Sequence, residues 1–253
     1  MTKEIFPLYK PIGLSPLDVI KKLKKEHPEF QDKKIAYAGR LDPMAEGVIL
    51  IIVGDSLKKF KHFLKLDKEY EAEVLFGFSS DSFDILGIAE KKDKDFFEEE
   101  EEVEKVLKSF EGDFIFKPPF FSSYRYKGKP LFWWARQERL EEVELPDKKT
   151  AIYSLEILDK IKVEKKFLEK KIEEKIRSVK GDFRQEEIIE KWRNVFQKEE
   201  DNKKYLIIKI KVHCSSGCYI RSIADRTGRL LNSGAILYSL KRIRVGRHKL
   251  NNF

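Results

Sequence analysis

With 253 residues, 41% of them hydrophobic and 12% aromatic, the chain holds enough apolar material for a real core in one large domain or two small ones. No apolar run nears the ~20 residues of a membrane-spanning helix. The opening MTKEIFPLYKPIG has no basic stretch leading into an apolar one, so a globular cytoplasmic protein without membrane attachment is expected. The formal charge of +8 is uneven: residues 203–253 carry twelve Lys and Arg against one acid, Asp225, a net +11 that leaves −3 for the first 202. That asymmetry points to a polyanionic partner such as nucleic acid, because neutralising phosphates releases counterions. The two cysteines, Cys214 and Cys218, lack the second Cys/His pair that a structural zinc requires, so reduced thiols and no metal site are expected.

In chain order, "YKPIG" reads as a rigid loop, constrained at Pro11 and freed at Gly13. Ser15 as N-cap, Pro16 at the first helical position and Asp18 in the first turn then predict a helix over 13–27, with Leu17, Ile20 and Leu23 as its apolar positions. "GVILIIVG" (47–54), β-branched and bounded by glycines, predicts a strand buried on both faces. "DKEYEAEVLFG" (67–77) alternates, with Tyr70, Ala72, Val74 and Phe76 on one face and Glu71 and Glu73 on the other, the period of a half-exposed strand. Residues 93–114 contain an acidic run, but Val103, Val106, Leu107 and Phe110 recur at helical spacing and Gly112 can end the helix. The heavily charged segment 164–203 carries Leu168, Ile172, Ile176 and Val179, then Ile188, Ile189, Trp192, Val195 and Phe196, around a "KGDFRQEE" turn, which predicts a helical hairpin. Residues 205–214 read as a strand and 222–234 as a helix with Gly234 past its end. Helices and strands mix without strict alternation, so the expected class is α+β around a largely antiparallel sheet flanked by helices.

Two stretches carry candidate chemistry. "KPPFFSSYRYKGKPLFWWAR" (117–136) interleaves seven aromatics with five basic residues, a combination that stacks on splayed bases and holds phosphates, or equally a hairpin at Gly128 whose rings fill the core. In "AYAGRLDPMAEGVIL" (36–50), Asp42 precedes Pro43 in a loop entering the buried strand, where a carboxylate is held on a rigid element. A lone Asp before Pro is ordinarily a turn residue. With no second acid nearby in sequence, a catalytic Asp42 is expected to act alone, as nucleophile or base beside a cation.

"KPIGLSPLD" (10–18), "AGRLDPMAEGVILIIVGDSLKKF" (38–60), "DKEYEAEVLFGFSSDSFDILG" (67–87), the 117–136 stretch and "CSSGCYIRSIADRTGRLL" (214–231) follow the order and spacing of the TruB-type tRNA pseudouridine synthases, a family this chain resembles over nearly its whole length. The resemblance implies the pseudouridine synthase fold and a cofactor-free isomerisation of uridine 55 in the T-loop of tRNA, with the T-arm as partner and a monomeric enzyme. It implies Asp42 as the catalytic residue that breaks and remakes the glycosidic bond, by addition at C1′ or removal of a C2′ proton. Tyr70 stacks on the base and assists at C5, and Arg221 pairs with the carboxylate, whose charged form a buried cation favours. Lys10, Tyr37, Arg40, Lys117, Tyr124 and Tyr219, all within the matching motifs, are the implied RNA contacts, made to a uridine flipped out of its stack.

The sequence also departs from the family's pattern. Tyr37 stands where histidine is usual, and Arg40 replaces a small residue, giving a "GRLD" run similar to other pseudouridine synthase classes. Residues 164–203 form an insertion within what is expected to be one catalytic domain over 1–253. The chain stops soon after "LKRIRVGRHKL", so the C-terminal RNA-binding (PUA-like) domain of most relatives is not expected here.

Overall fold

The computed structural model describes residues 4–92 and 100–250. Its elements are β1 (Ile5–Lys10), α1 (Pro16–Glu26), β2 (Ile35–Ala38), β3 (Glu46–Val53), α2 (Phe60–Leu64), β4 (Lys68–Phe76), β5 (Phe78–Ser80), β6 (Ala89–Lys91), α3 (Glu100–Lys108), β7 (Gly112–Phe116), β8 (Arg125–Tyr126), β9 (Lys129–Pro130), α4 (Leu131–Arg136), β10 (Lys148–Glu164), α5 (Lys165–Ser178), α6 (Gln185–Gln197), β11 (Lys204–Cys214), α7 (Ile220–Leu230), β12 (Ala235–Val245) and β13 (His248–Lys249). A large sheet runs in the order β1-β3-β12-β4-β11-β10-β7, with β2 on β3 and β13 on β12. Its pairs are antiparallel except β3 with β12, which is the mixed, largely antiparallel arrangement expected of the sequence.

Local chemistry accounts for the elements that carry the site. Ser15 and Asp18 close a reciprocal capping box, so α1 starts where its orphan N–H groups find a side-chain acceptor. β3 is buried on both faces because Ile49, Ile51 and Val53 meet Val19, Ile20, Leu23 and Phe30, while Val48, Leu50 and Ile52 meet Phe63 and Val245. β4 buries Tyr70, Ala72, Val74 and Phe76 as its alternation requires. Residues 93–99, with the start of the acidic run, lie outside the described residues, and Glu100, Glu101 and Glu102 open α3. α3 follows, with Val103 and Leu107 in the core.

The hairpin of α5 and α6 joins the ends of the long β10–β11 pair and is part of the main core. Phe78 packs against Trp192, Phe196 and Tyr205 at centroid separations of 5.0, 5.7 and 5.0 Å, and the Trp192 indole donates to the Ile85 carbonyl at 3.2 Å. The sequence gives no warning of β1, β10 or β12. Tyr9 and Lys10, expected in a loop, end β1, and α7 begins at Ile220 and stops at Leu230, with Asn232 taking the left-handed conformation (φ 52°) before Gly234. No described helix is long and apolar enough to cross a membrane.

At the parallel pairing, Gly47 faces Arg242 with φ +111°, and a Cβ there would lie 2.2 Å from the Arg242 carbonyl oxygen. Gly47→Ala should therefore lower the unfolding free energy by roughly 3 kcal/mol, through a clash with backbone at a strained φ. Urea titration checks this, and a loss below about 1 kcal/mol would show that β12 can shift away.

Candidate active site

Asp42 sits in the loop from β2 to β3, and Arg221 in the first turn of α7 reaches it: guanidinium Nε lies 3.0 Å from Asp42 Oδ2, an ion pair without the alignment of a linear hydrogen bond. The pair is unequal. Only 4% of the Arg221 side chain is exposed, whereas 32% of Asp42 stays open. A charge-stabilised carboxylate with an accessible face is what a nucleophile or base requires.

Arg221 has a second acid, which the sequence reading missed. Asp84, equally buried, places Oδ2 3.4 Å from Arg221 Nη1, and the guanidinium also donates to the carbonyls of Ser82 (2.9 Å) and Phe121 (3.3 Å). The expectation that no second acid lies near Asp42 is therefore corrected: chain separation hid a carboxylate that the β12 side of the sheet brings to the same cation. Burial pushes the Asp84 carboxyl up to about 6, with Arg221 and the Ser82 hydroxyl pulling the other way. Burial opposes the Arg221 charge, and Asp42 and Asp84 outweigh it to raise the pKa of the arginine. The only sequence signal for Asp84 is its place in "SSDSFDILG", where Ser82 Oγ and Leu86 N bind its Oδ1 at 2.6 and 2.9 Å.

Two buried cations fix the loop. Arg242 donates to the carbonyls of Val48 (2.7 Å), Gly39 (3.1 Å) and Arg40 (3.2 Å), and Lys10 donates to Leu14 (2.8 Å), Pro11 (3.0 Å) and Pro43 (3.5 Å). Desolvation lowers the Lys10 ammonium to about 8 although Asp42 raises it. Lys10 thus lies inside the protein and braces the turn that carries Asp42.

Asp42 opens on two cavities, one on either side. The first, about 310 Å³, is lined by Tyr70, Tyr219, Lys68, Leu240 and Arg242. Burial lifts the Tyr70 phenol to about 12, against the lowering effect of neighbouring Arg242, and burial likewise raises Tyr219. The second, about 300 Å³, is lined by Tyr37, Phe121, Phe132 and the α5–α6 turn at 182–184. Arg40 and Ser123 border both, and their side chains are hydrogen-bonded across the cleft. The structure thus brings together Asp42, Tyr70, Arg221, Arg40, Tyr37 and Tyr219. Lys117 and Tyr124 line neither cavity; Lys117 is exposed after β7, and Tyr124 lies under the Lys148 ammonium, 4.7 Å from its ring.

The aromatic stretch divides between its two readings. Trp134 is buried and donates to the Tyr126 carbonyl, while Phe121 and Phe132 face the second cavity. Both cysteines are free, and among the described residues no group of three or more His, Cys, Asp or Glu is placed to hold a metal ion.

Residues 27–183 match the family described as TruB family pseudouridylate synthase (N terminal domain). The tRNA pseudouridine synthase B of Blochmanniella floridana is 32% identical over 243 residues, covering 95% of this chain and 75% of that protein. That of Carboxydothermus hydrogenoformans is 32% identical over 247 residues, covering 97% and 70%. Among solved structures, a Cbf5-Nop10-Gar1 complex contains a chain with the same fold (TM-score 0.60, 20% identity), and an H/ACA RNP bound to a substrate RNA containing 2′-deoxyuridine contains another (TM-score 0.54, 18% identity). Each covers 98% of this chain, which spans 50% and 49% of theirs. On sequence, fold and the motifs gathered round Asp42, this chain belongs to the TruB family of pseudouridylate synthases.

Proposed function

We propose that this protein is a tRNA pseudouridine synthase that isomerises a T-loop uridine, position 55, in a flipped-out state, with Asp42 acting on the ribose. The observation that carries the reading is the accessible Asp42 carboxylate, set on buried Arg221 and opening on the cavity of Tyr70. The reaction breaks the C1′–N1 bond, forms C1′–C5, moves a proton off C5 and places one on N1. Its atoms and electrons balance within the nucleoside, so the chemistry calls for no cofactor.

Asp42 adds at C1′ or removes the C2′ proton, and either route draws on a carboxylate held by a guanidinium that stays charged throughout. Tyr70 supplies a phenol that burial keeps neutral at physiological pH despite neighbouring Arg242, which suits it to stacking on the base. The second cation-bound acid, Asp84, adds a buried carboxylate to the Ser82 and Phe121 carbonyls that hold Arg221 in place. The basic C-terminal fifth attracts the T-arm, and the protein acts in the cytoplasm as a monomer.

The test is pseudouridine formation in an unmodified tRNA transcript, mapped by carbodiimide labelling and primer extension. Asp42→Asn, nearly isosteric, should keep the fold and bind tRNA within about threefold while losing at least about a thousandfold in turnover. Full turnover in the variant would sink the mechanism, and binding by the wild type without modification would make this an RNA-binding protein instead.

A second outcome concerns pH. The folded-state pKa of Asp84, about 6, exceeds its ordinary 3.8. The folded chain therefore binds a proton that the unfolded chain releases, and this group stabilises the fold as pH falls from 6 to 4. Wild type should gain up to roughly 3 kcal/mol over Asp84→Asn between pH 7 and pH 4. Denaturation profiles of the two that run parallel across this range would contradict a buried Asp84.

A further inference from the structure

The second cavity has no part in the chemistry at Tyr70, yet it shares Asp42, Arg40 and Arg221 with that site. One wall is the turn between α5 and α6, whose tip is held in a definite shape. Arg184 adopts φ +60°, a strained conformation for a non-glycine residue, and its guanidinium lies 4.4 Å from the centroid of the Phe121 ring and 3.0 Å from Asp81 Oδ2. Gln185 binds the carbonyls of Val179 and Gly181 at 3.0 and 2.7 Å and accepts from Phe183 N at 2.9 Å. Lys180 N donates to the Gly13 carbonyl at 3.0 Å, which ties the turn to the loop that Lys10 anchors.

The lining has the chemistry of a nucleobase site. Phe121, Phe132 and Phe183 supply aromatic surface, Arg40, Arg136 and Arg184 supply cations, the last two paired with Asp182 and Asp81, and Leu17 and Phe132 remain 57% and 37% exposed. Exposed apolar side chains ringed by arginine suit a planar aromatic ligand carrying phosphate. An RNA strand whose uridine reaches Asp42 continues past it, and the neighbouring nucleotide must lie within one backbone step of the space that shares Asp42.

We infer that the α5–α6 turn is a specificity-determining part of the active site: Phe183 and Arg184, with Phe121, seat a second unstacked base next to the isomerised uridine. This rests on the reading of the chain as an RNA-modifying synthase. Deleting residues 164–203 is unsuitable as a test, because Trp192 and Phe196 belong to the core. The turn is instead altered alone, as the double variant Phe183→Ala/Arg184→Ala in the full chain.

The probe is a fluorescently labelled, unmodified T-arm stem-loop, intact or abasic at each nucleotide adjoining the target uridine. Wild type should isomerise the intact RNA and bind the abasic form about tenfold more weakly. The double variant should bind intact RNA about tenfold more weakly than wild type and be indifferent to the abasic change, with KM rising more than kcat falls. An equal abasic penalty in both proteins, or a fall in kcat at unchanged KM, would overturn the inference while leaving the activity standing. Wild type that fails to isomerise the intact stem-loop would overturn both readings.

Discussion

Everything at this site depends on cations buried against backbone carbonyls. Arg242 and Lys10 are fully buried, and their donors meet the oxygens of Gly39, Arg40, Pro43, Val48, Pro11 and Leu14. A loop between two strands normally leaves its carbonyls to water, and would move with it. Here each of those oxygens has a charged donor in a low-dielectric interior, where such bonds are strong and where a lost partner leaves an expensive orphan. Asp42 inherits the rigidity of the loop. Its position is therefore decided before any RNA arrives, which is what preorganised chemistry requires.

The cation under Asp42 works differently. Arg221 stands between one open carboxylate and one closed one, and the difference in exposure separates their roles. The open member can meet a ribose, and the closed one holds the guanidinium in place. Asp84, together with the carbonyls of Ser82 and Phe121, keeps Arg221 from following Asp42. The Asp42 carboxylate can then change its bonding while the charge beneath it stays put.

Much of this could be read from the residues. The capping box of Ser15 and Asp18, the doubly buried β3 and the alternation of β4 follow from short-range rules, and so does the pair of helices at 164–203. The motif around Asp42 marks its loop. Other features escaped for a common reason. β12 contains Lys241, Arg242 and Arg244 among its apolar residues, and its charge reads as a surface for nucleic acid, whereas Arg242 is interior and Arg244 is bonded to Glu69. Asp84 likewise looks like a turn residue until the sheet brings it to Arg221. Charge in a sequence does not say which side of a strand it occupies, and a charged residue deep in the protein is legible only through partners far away in the chain.

The pairing of β3 with β12 carries this distance to its limit. The bonds from Arg242 to Gly39 and Arg40 close a span of 203 and 202 residues. Contacts so remote must be made late, since the intervening chain has to be ordered before its ends can meet. As the polypeptide emerges from synthesis, β1 and α1 can assemble and Lys10 can reach Pro43, but the loop bearing Asp42 lacks its Arg242 clamp until β12 is made. The Arg242 clamp and the β3–β12 pairing are then completed in one event, and a partially synthesised chain carries Asp42 on a loop that is only half fixed.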